Sequence, residues 1–315
     1  MTRKSSLVAV IVSAACFATL GPLQTWAFAQ GAESLSLLAV RFAIAAVVMA
    51  AAQAMRDPSA LKVGRTDLLR FLGLSVTGYG AGSLCYSFAL REVGVSVTTV
   101  LLYTYPAMVS IIGWLFLKEH FPPRRIAAVI MTFAGCALVA GVFSSGVALN
   151  AQGVLLGLGA GLGYAIFNVL SFRTLGTTPR LVLMAYTFGI SAIGMAGIAA
   201  FTGSGTAVAR WQPQAWMALA AIVAVPTFAA VMLYLGGMRG MGAPQAAVVS
   251  TLELPFAVML AAALSLYEPL RLTVGLTSTE ALSPIQLAGA AVVLAGVVLA
   301  EWGSGGVEVD GAAAV

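Results

Sequence analysis

The chain is short of charge. Of its 315 residues only 9% are Asp, Glu, Lys or Arg, and His120 is its single histidine. Soluble globular domains carry about 25% charged and about 45–50% apolar residues, so a chain that is 60% apolar with mean hydropathy +0.99 is no water-soluble enzyme. The scarcity of histidine and acid also leaves no H-E-x-x-H, paired-aspartate or other metal-ligand spacing. No cofactor and no catalytic centre are expected. Cysteine is equally sparse: Cys16, Cys85 and Cys136 lie in apolar stretches without a C-x2-C spacing, which predicts free thiols packed as small apolar residues. The formal charge of +5 does not gather into a dense basic stripe, so nucleic acid is not an expected partner.

What is abundant is apolar length. A spanning helix takes about 20 mostly apolar residues, and cutting the charge-free intervals at Gly, Ser and Pro clusters predicts ten helices. They fall near 5–29, 36–55, 69–90, 96–117, 124–144, 151–173, 180–202, 213–238, 243–266 and 284–302. The expected partners are therefore membrane lipid and a small-molecule substrate. The first helix ends in Ala27-Phe28-Ala29 after Arg3 and Lys4, which imitates a cleavable signal. A signal's apolar core is only about 7–15 residues, so a retained helix is expected. With the N-terminus inside, twelve Lys and Arg fall on that side, against Arg91, Arg210 and Arg271 outside, while Arg41 lies within a span. The positive-inside bias places both termini in the cytoplasm. Trp26, Trp211 and Trp216 then mark the outer boundary and Trp114 and Trp302 the inner one.

An internal repeat is legible in the spacing. Pro106 and Glu119 are thirteen apart, as are Pro255 and Glu268; Glu119, Pro123 and Gly135 repeat the spacing of Glu280, Pro284 and Gly296. The offsets, 149 and 161 residues, differ by a twelve-residue insertion in the last external loop. Two units of five helices are predicted, 5–145 and 151–302, followed by a disordered Gly- and Ala-rich tail at 303–315. Five is odd, so the second unit enters the membrane inverted. Inverted repeats characterise transporters whose substrate site lies near the midplane, where the halves meet.

These motifs carry a resemblance. Tyr105-Pro106 followed by Lys118-Glu119, and Glu253-Leu254-Pro255 followed by Tyr267-Glu268, resemble the two Pro-helix-Glu-helix endings of the ten-helix EamA type of the drug/metabolite transporter superfamily. The likeness covers almost all of 5–302 and, within the family, runs closest to the YddG-type aromatic amino-acid exporters. It implies a secondary transporter of the bacterial inner membrane, all-α, working by alternating access, with export as its direction. Lys118 and Tyr267 stand where the family often has glycine, and the Pro269–Thr279 insertion is unusual.

Polar groups inside the apolar layer face a bundle interior or a cavity. Tyr79 and Tyr86 share a face of the third span; Thr99, Tyr103, Pro106 and Ser110 line the fourth; Gly157, Gly161, Tyr164, Asn168 and Ser171 line the sixth. The substrate-cavity candidates are Tyr79, Tyr86, Thr99, Tyr103, Ser110, Tyr164 and Asn168, with close helix packing as the competing reading for the Gly and Ser positions. Two charges lie well inside the layer. Arg41 is expected in its outer half and Glu253 near the midplane, either paired with each other or leaving Glu253 to carry a coupling proton. Alternatively, Glu253 satisfies the backbone disturbed by Pro255. Prolines at 22, 106, 226 and 255 are expected to kink helices, with Pro106 and Pro255 as paired hinges. His120 reads as a solvated loop residue. A cavity of tyrosines, an amide and hydroxyls with at most one cation suits zwitterionic amino acids. Lipophilic cations are the alternative, with Glu253 as counter-charge; a membrane-embedded enzyme lacks the residues it would need.

Overall fold

The computed structural model describes residues 2–117, 122–140, 150–203, 208–265 and 284–301. Lys118, Glu119, His120, Tyr267, Glu268, the Pro269–Thr279 insertion with Arg271, Glu280, Trp302 and the tail lie outside the described residues. Among those described there is no strand. The helices are α1 (Arg3–Ala18), α2 (Leu20–Ala29), α3 (Ser34–Ala54), α4 (Arg65–Gly73), α5 (Gly80–Leu102), α6 (Tyr105–Leu117) and α7 (Pro123–Val139). They continue as α8 (Ala151–Thr174), α9 (Arg180–Phe201), α10 (Pro213–Ile222), α11 (Ala230–Met241), α12 (Ala243–Ser250), α13 (Glu253–Ser265) and α14 (Pro284–Glu301). Among the described residues six stretches are long and apolar enough to cross a membrane: Arg3–Ala29, Ser34–Ala54, Val97–Phe116, Ala151–Thr174, Arg180–Phe201 and Pro213–Met241. Such stretches, with large apolar side chains exposed around the bundle, make this an all-α membrane protein.

The helix α5 doubles back on itself. At about 1.5 Å per residue, a straight helix would hold Gly82 and Leu101 about 28 Å apart. Both nevertheless pack on α8 within two turns: a Cβ on Gly163 would lie 2.7 Å from Gly82 Cα, and one on Gly157 2.8 Å from Leu101 Cβ. The Tyr86 hydroxyl also lies close to the side chain of Thr99, thirteen residues on. The chain therefore runs antiparallel to α8 up to about Glu92 and parallel to it from about Val97. The boundary expected between 90 and 96 is a reversal without loss of helical backbone.

Helices expected to be continuous are broken. Tyr103 and Thr104 interrupt the fourth apolar stretch, Thr251 and Leu252 the ninth, and Thr19 the first. Pro106, Pro255 and Pro22 sit in the first turn of the helix that restarts after each break, where the missing N–H costs no intrahelical bond. The expected kink within a running helix is thus corrected to a break followed by a proline-started helix. The third and eighth stretches instead widen to i→i+5 bonding over Leu74–Tyr79 and Val223–Ala229, where Gly80 N–H reaches Ser75 O and Ala230 N–H reaches Val225 O. Only the second of these contains a proline, Pro226. An offset of 149 carries Leu74 onto Val223, so the two widened segments occupy equivalent places. Such bulges concentrate at functional sites.

Packing follows small residues. α7 lies along α14, α3 along α9, α1 along α11 and α5 along α8. In the α7–α14 seam a Cβ on Gly135 would come within 2.8 Å of Gly289 O and Val293 N, and one on Gly296 within 3.1 Å of Ala128 O and Thr132 N. Lipid tails are as apolar as Leu, so helices associate in a membrane by this kind of close approach rather than by a hydrophobic drive. The same explanation holds for Gly157 and Gly161, whose faces are filled by Leu101 and Thr104. These two glycines belong to packing, not to a cavity. Cys16, Cys85 and Cys136 are free thiols. Trp114 and Trp216 are exposed on the outside of the bundle, whereas Trp211 is buried against Trp216 at 5.1 Å between centroids.

Candidate functional site

Four tyrosines and three phenylalanines meet where the two halves of the chain face each other. From α3, Phe42 stacks on Phe188 of α9 (5.3 Å, 4°) and meets Tyr79 edge-on at 5.4 Å. Tyr79, at the end of the first widened segment, contacts Phe167 of α8 at 5.0 Å, and Phe167 lies 6.0 Å from Tyr164. Tyr164 stands edge-on to Tyr105 at 4.9 Å, and Tyr105 is 6.1 Å from Tyr103. The break at Tyr103–Thr104 lets tyrosines two apart reach one site; in an unbroken helix they would diverge by about 200°. The result is a continuous aromatic wall running from α3 to α6.

A hydrogen-bonded network backs this wall. Tyr105 OH donates to Ala247 O at 3.0 Å and is bonded to Ser250 Oγ. Tyr234 OH donates to Asn168 Oδ1, and the Asn168 amide donates back to Tyr164 O at 2.7 Å. Asn168 is fully buried, so the amide is satisfied inside the protein. It holds Tyr234 against α8. By contrast, among the described residues the hydroxyls of Tyr79, Tyr103 and Tyr164 have no protein hydrogen-bond partner. Ser110 is buried with its hydroxyl unpartnered, and no hydrogen bond or ring contact ties it to the wall.

Among the described residues the two intramembrane charges are not paired. Arg41 is 3% exposed; its Nε donates to Thr227 Oγ1 at 2.7 Å, and its guanidinium lies 5.6 Å from the Phe42 ring centroid. Thr227 in turn donates to Ile222 O, five residues back, within the second widened segment. The expected Arg41–Glu253 ion pair is therefore replaced by an Arg41–Thr227 bond. Nor does Glu253 bond to the backbone beside Pro255. The first N–H groups of α13 are served instead by carbonyls: Leu254 N–H bonds Thr251 O, and Phe256 N–H bonds Leu252 O. The Glu253 carboxyl acts electrostatically on Tyr79, Tyr86, Tyr103, Tyr105, Tyr164 and Tyr234, and Arg41 on Tyr79 and Tyr164. Tyr79 and Tyr164 thus face both charges.

The sequence-predicted residues Tyr79, Tyr86, Thr99, Tyr103 and Tyr164 come together here, with Arg41 and Glu253. Sequence reasoning missed Tyr105, Tyr234, Thr227, Ser250 and the rings of Phe42, Phe167 and Phe188. A lone tyrosine in an apolar stretch was the available signal for Tyr234. An apolar crevice of about 460 Å³ lies apart from this aromatic wall, between Ile44 and Val48 of α3 and the Trp216, Leu219, Val223 and Phe228 side. Its walls are almost wholly apolar.

No group of His, Cys, Asp and Glu that could hold a metal occurs among the described residues. The description EamA-like transporter family matches the chain twice, at residues 4–141 and 151–302. Two Bacillus subtilis proteins are similar. The uncharacterized transporter YcbK is 26% identical over 76% of this chain and 79% of its own length. The uncharacterized transporter YwfM is 33% identical over 106 residues, which span 33% of this chain and 36% of that protein. One solved crystal structure superposes with a TM-score of 0.73 at 18% identity, covering 95% of this chain and 97% of the other, which establishes the shared fold. With the family's pattern matched across both halves, the chain belongs to the EamA-like transporter family of the drug/metabolite transporter superfamily and is a membrane transporter rather than an enzyme.

Proposed function

We propose that the protein is a secondary transporter that exports small amphipathic metabolites, aromatic amino acids foremost, across the bacterial cytoplasmic membrane by alternating access. The single observation that carries this reading is the buried tyrosine cluster between the halves, with the Arg41 cation beside Phe42 and the Glu253 carboxyl acting on the same tyrosines. Aromatic rings suit an aromatic side chain. Two separated opposite charges suit a zwitterion better than a phosphate dianion, which would want a clamp of several cations. The narrower likeness to YddG-type exporters points the same way.

The architecture we infer is ten spans in two inverted five-helix repeats, 5–145 and 151–302, with both termini cytoplasmic. Exchanging the repeats leaves the α3–α9 and α7–α14 pairs in place and swaps α1–α11 with α5–α8. The seam supports the same relation: adding 161 to Ala128, Thr132 and Gly135 gives Gly289, Val293 and Gly296. Gly135 faces Gly289 and Val293, just as Gly296 faces Ala128 and Thr132. Pro106 and Pro255, each beginning a helix after an equivalent break, are hinge points for rocking one half on the other. In this scheme Tyr79, Tyr86, Thr99, Tyr103, Ser110, Tyr164 and Asn168 line the substrate site, Asn168 also bracing Tyr164 and Tyr234, and Glu253 is the coupling group.

Counterflow of labelled phenylalanine in vesicles containing the purified protein tests the proposal. Exchange above protein-free vesicles is the expected result; no exchange of phenylalanine, tyrosine or tryptophan rejects it. A lipophilic-cation exporter is the second reading, favoured by a carboxyl that faces six tyrosines without a protein cation against it. Tetraphenylphosphonium exchange in the absence of amino-acid exchange would select that reading.

A further inference from the structure

Arg41 is an uncommon object: a guanidinium buried within an apolar span and committed by only one of its five N–H groups. The Nε–H goes to Thr227, and among the described residues neither terminal nitrogen has an acceptor or an ion-pair partner. Those nitrogens are also absent from the buried unpartnered atoms, so they keep accessible surface although the residue as a whole is 3% exposed. A buried cation is costly unless it is paired and hydrogen-bonded. The protein holds the group in place from one side, through Thr227 and the Phe42 ring, and leaves the planar fork of terminal N–H groups unused. Tyr79 and Tyr164 are near enough to interact electrostatically with the guanidinium, and both also interact with Glu253; Tyr79 is in ring contact with Phe42, over which the guanidinium lies. A fork of this kind matches a carboxylate through two parallel hydrogen bonds.

The geometry points to Arg41 as the receptor for the substrate's carboxylate, positioned by Thr227 and Phe42 at the edge of the aromatic cluster with its terminal nitrogens uncommitted. The inference rests on the reading of that cluster as the substrate site and makes it more specific: the transported class is carboxylates that carry an aromatic or apolar side chain. The Arg41–Thr227 bond also ties recognition to the second widened segment, on the opposite half from α3. An arriving carboxylate would therefore act on the junction between the two halves.

The test compares phenylalanine with phenylalaninamide, which keeps the ring and the ammonium and lacks only the carboxylate. Both compete against labelled phenylalanine counterflow in vesicles containing the full chain. In the wild type the amide is expected to compete at least about tenfold more weakly, the loss of a charge-assisted contact. In Arg41→Gln the two should compete within about threefold of each other. Equal competition in the wild type, or a tenfold preference surviving in Arg41→Gln, overturns the assignment and leaves Arg41 as a structural tie to Thr227. If Arg41→Gln does not fold, thermal shifts of the detergent-solubilised wild type decide: stabilisation by phenylalanine and 3-phenylpropanoate but not by phenylalaninamide supports the receptor, and stabilisation by the amide alone rejects it. Absence of phenylalanine exchange, together with 3-phenylpropanoate stabilisation of the wild type but not of Arg41→Lys, supports the carboxylate receptor and rejects the amino-acid exporter.

Discussion

The two halves of the chain meet in two chemically opposite ways. Along α7 and α14 they touch through Gly135, Gly289 and Gly296, backbone against backbone. At the aromatic cluster they meet through tyrosines, an amide, a guanidinium and a carboxyl, with several hydroxyls left unpartnered. The first arrangement tolerates no change of spacing, because a shift of even a methyl's breadth separates or collides backbone atoms. The second keeps long side chains that can exchange partners. In the proposed transport cycle the first junction holds the halves together and the second offers contacts that a substrate can replace.

The comparison can be broken most severely at the seam. Gly135→Leu places a side chain against Gly289 O and Val293 N, backbone atoms that cannot step aside, and should cost at least about 3 kcal/mol. The readout is loss of the monodisperse peak in detergent. Gly289→Leu should behave alike, since its Cβ would lie 2.7 Å from Val139 N.

The aromatic cluster should respond in function before stability. Glu253→Gln keeps the shape but removes the ionisable group that faces the tyrosines. Its expected effect is loss of the pH dependence of phenylalanine counterflow with substrate binding still measurable; a pH profile matching the wild type would remove Glu253 from coupling. Tyr234→Phe deletes the donor to Asn168 and leaves a fully buried amide oxygen without it. A destabilisation of about 1–3 kcal/mol is expected, read as a lower thermal midpoint in detergent.

The smallest effect sharpens the contrast between glycines. Gly194, on α9, would place a Cβ in open space. Gly194→Ala should therefore leave stability unchanged or raise it by about 1 kcal/mol, the helix-propensity difference. A destabilised Gly194→Ala would show that glycine at the seam is not special and that α9 itself cannot bear side chains there.

Much of the fold was legible because burial in lipid leaves a coarse signature: long apolar stretches, basic loops, and paired spacings at Pro106/Pro255 and Gly135/Gly296. Helical periodicity likewise singled out Tyr79, Tyr103 and Tyr164, whose rings take part in the aromatic wall. It failed at Tyr105, because a two-residue break, not periodicity, turns that ring inward. It also failed at Arg41, where charge complementarity alone favoured Glu253 as the partner. The choice of Thr227 depends on where a widened helix from the other half of the chain passes α3.

The sequence by itself determined that this is a duplicated, lipid-embedded helical transporter, since composition and spacing are properties of the chain before it folds. Only the tertiary structure decided which polar groups are spent on one another and which stay available. That division depends on distances between residues remote in sequence, such as the 186 positions separating Arg41 from Thr227. No local pattern encodes those distances, because they arise only when the two halves pack.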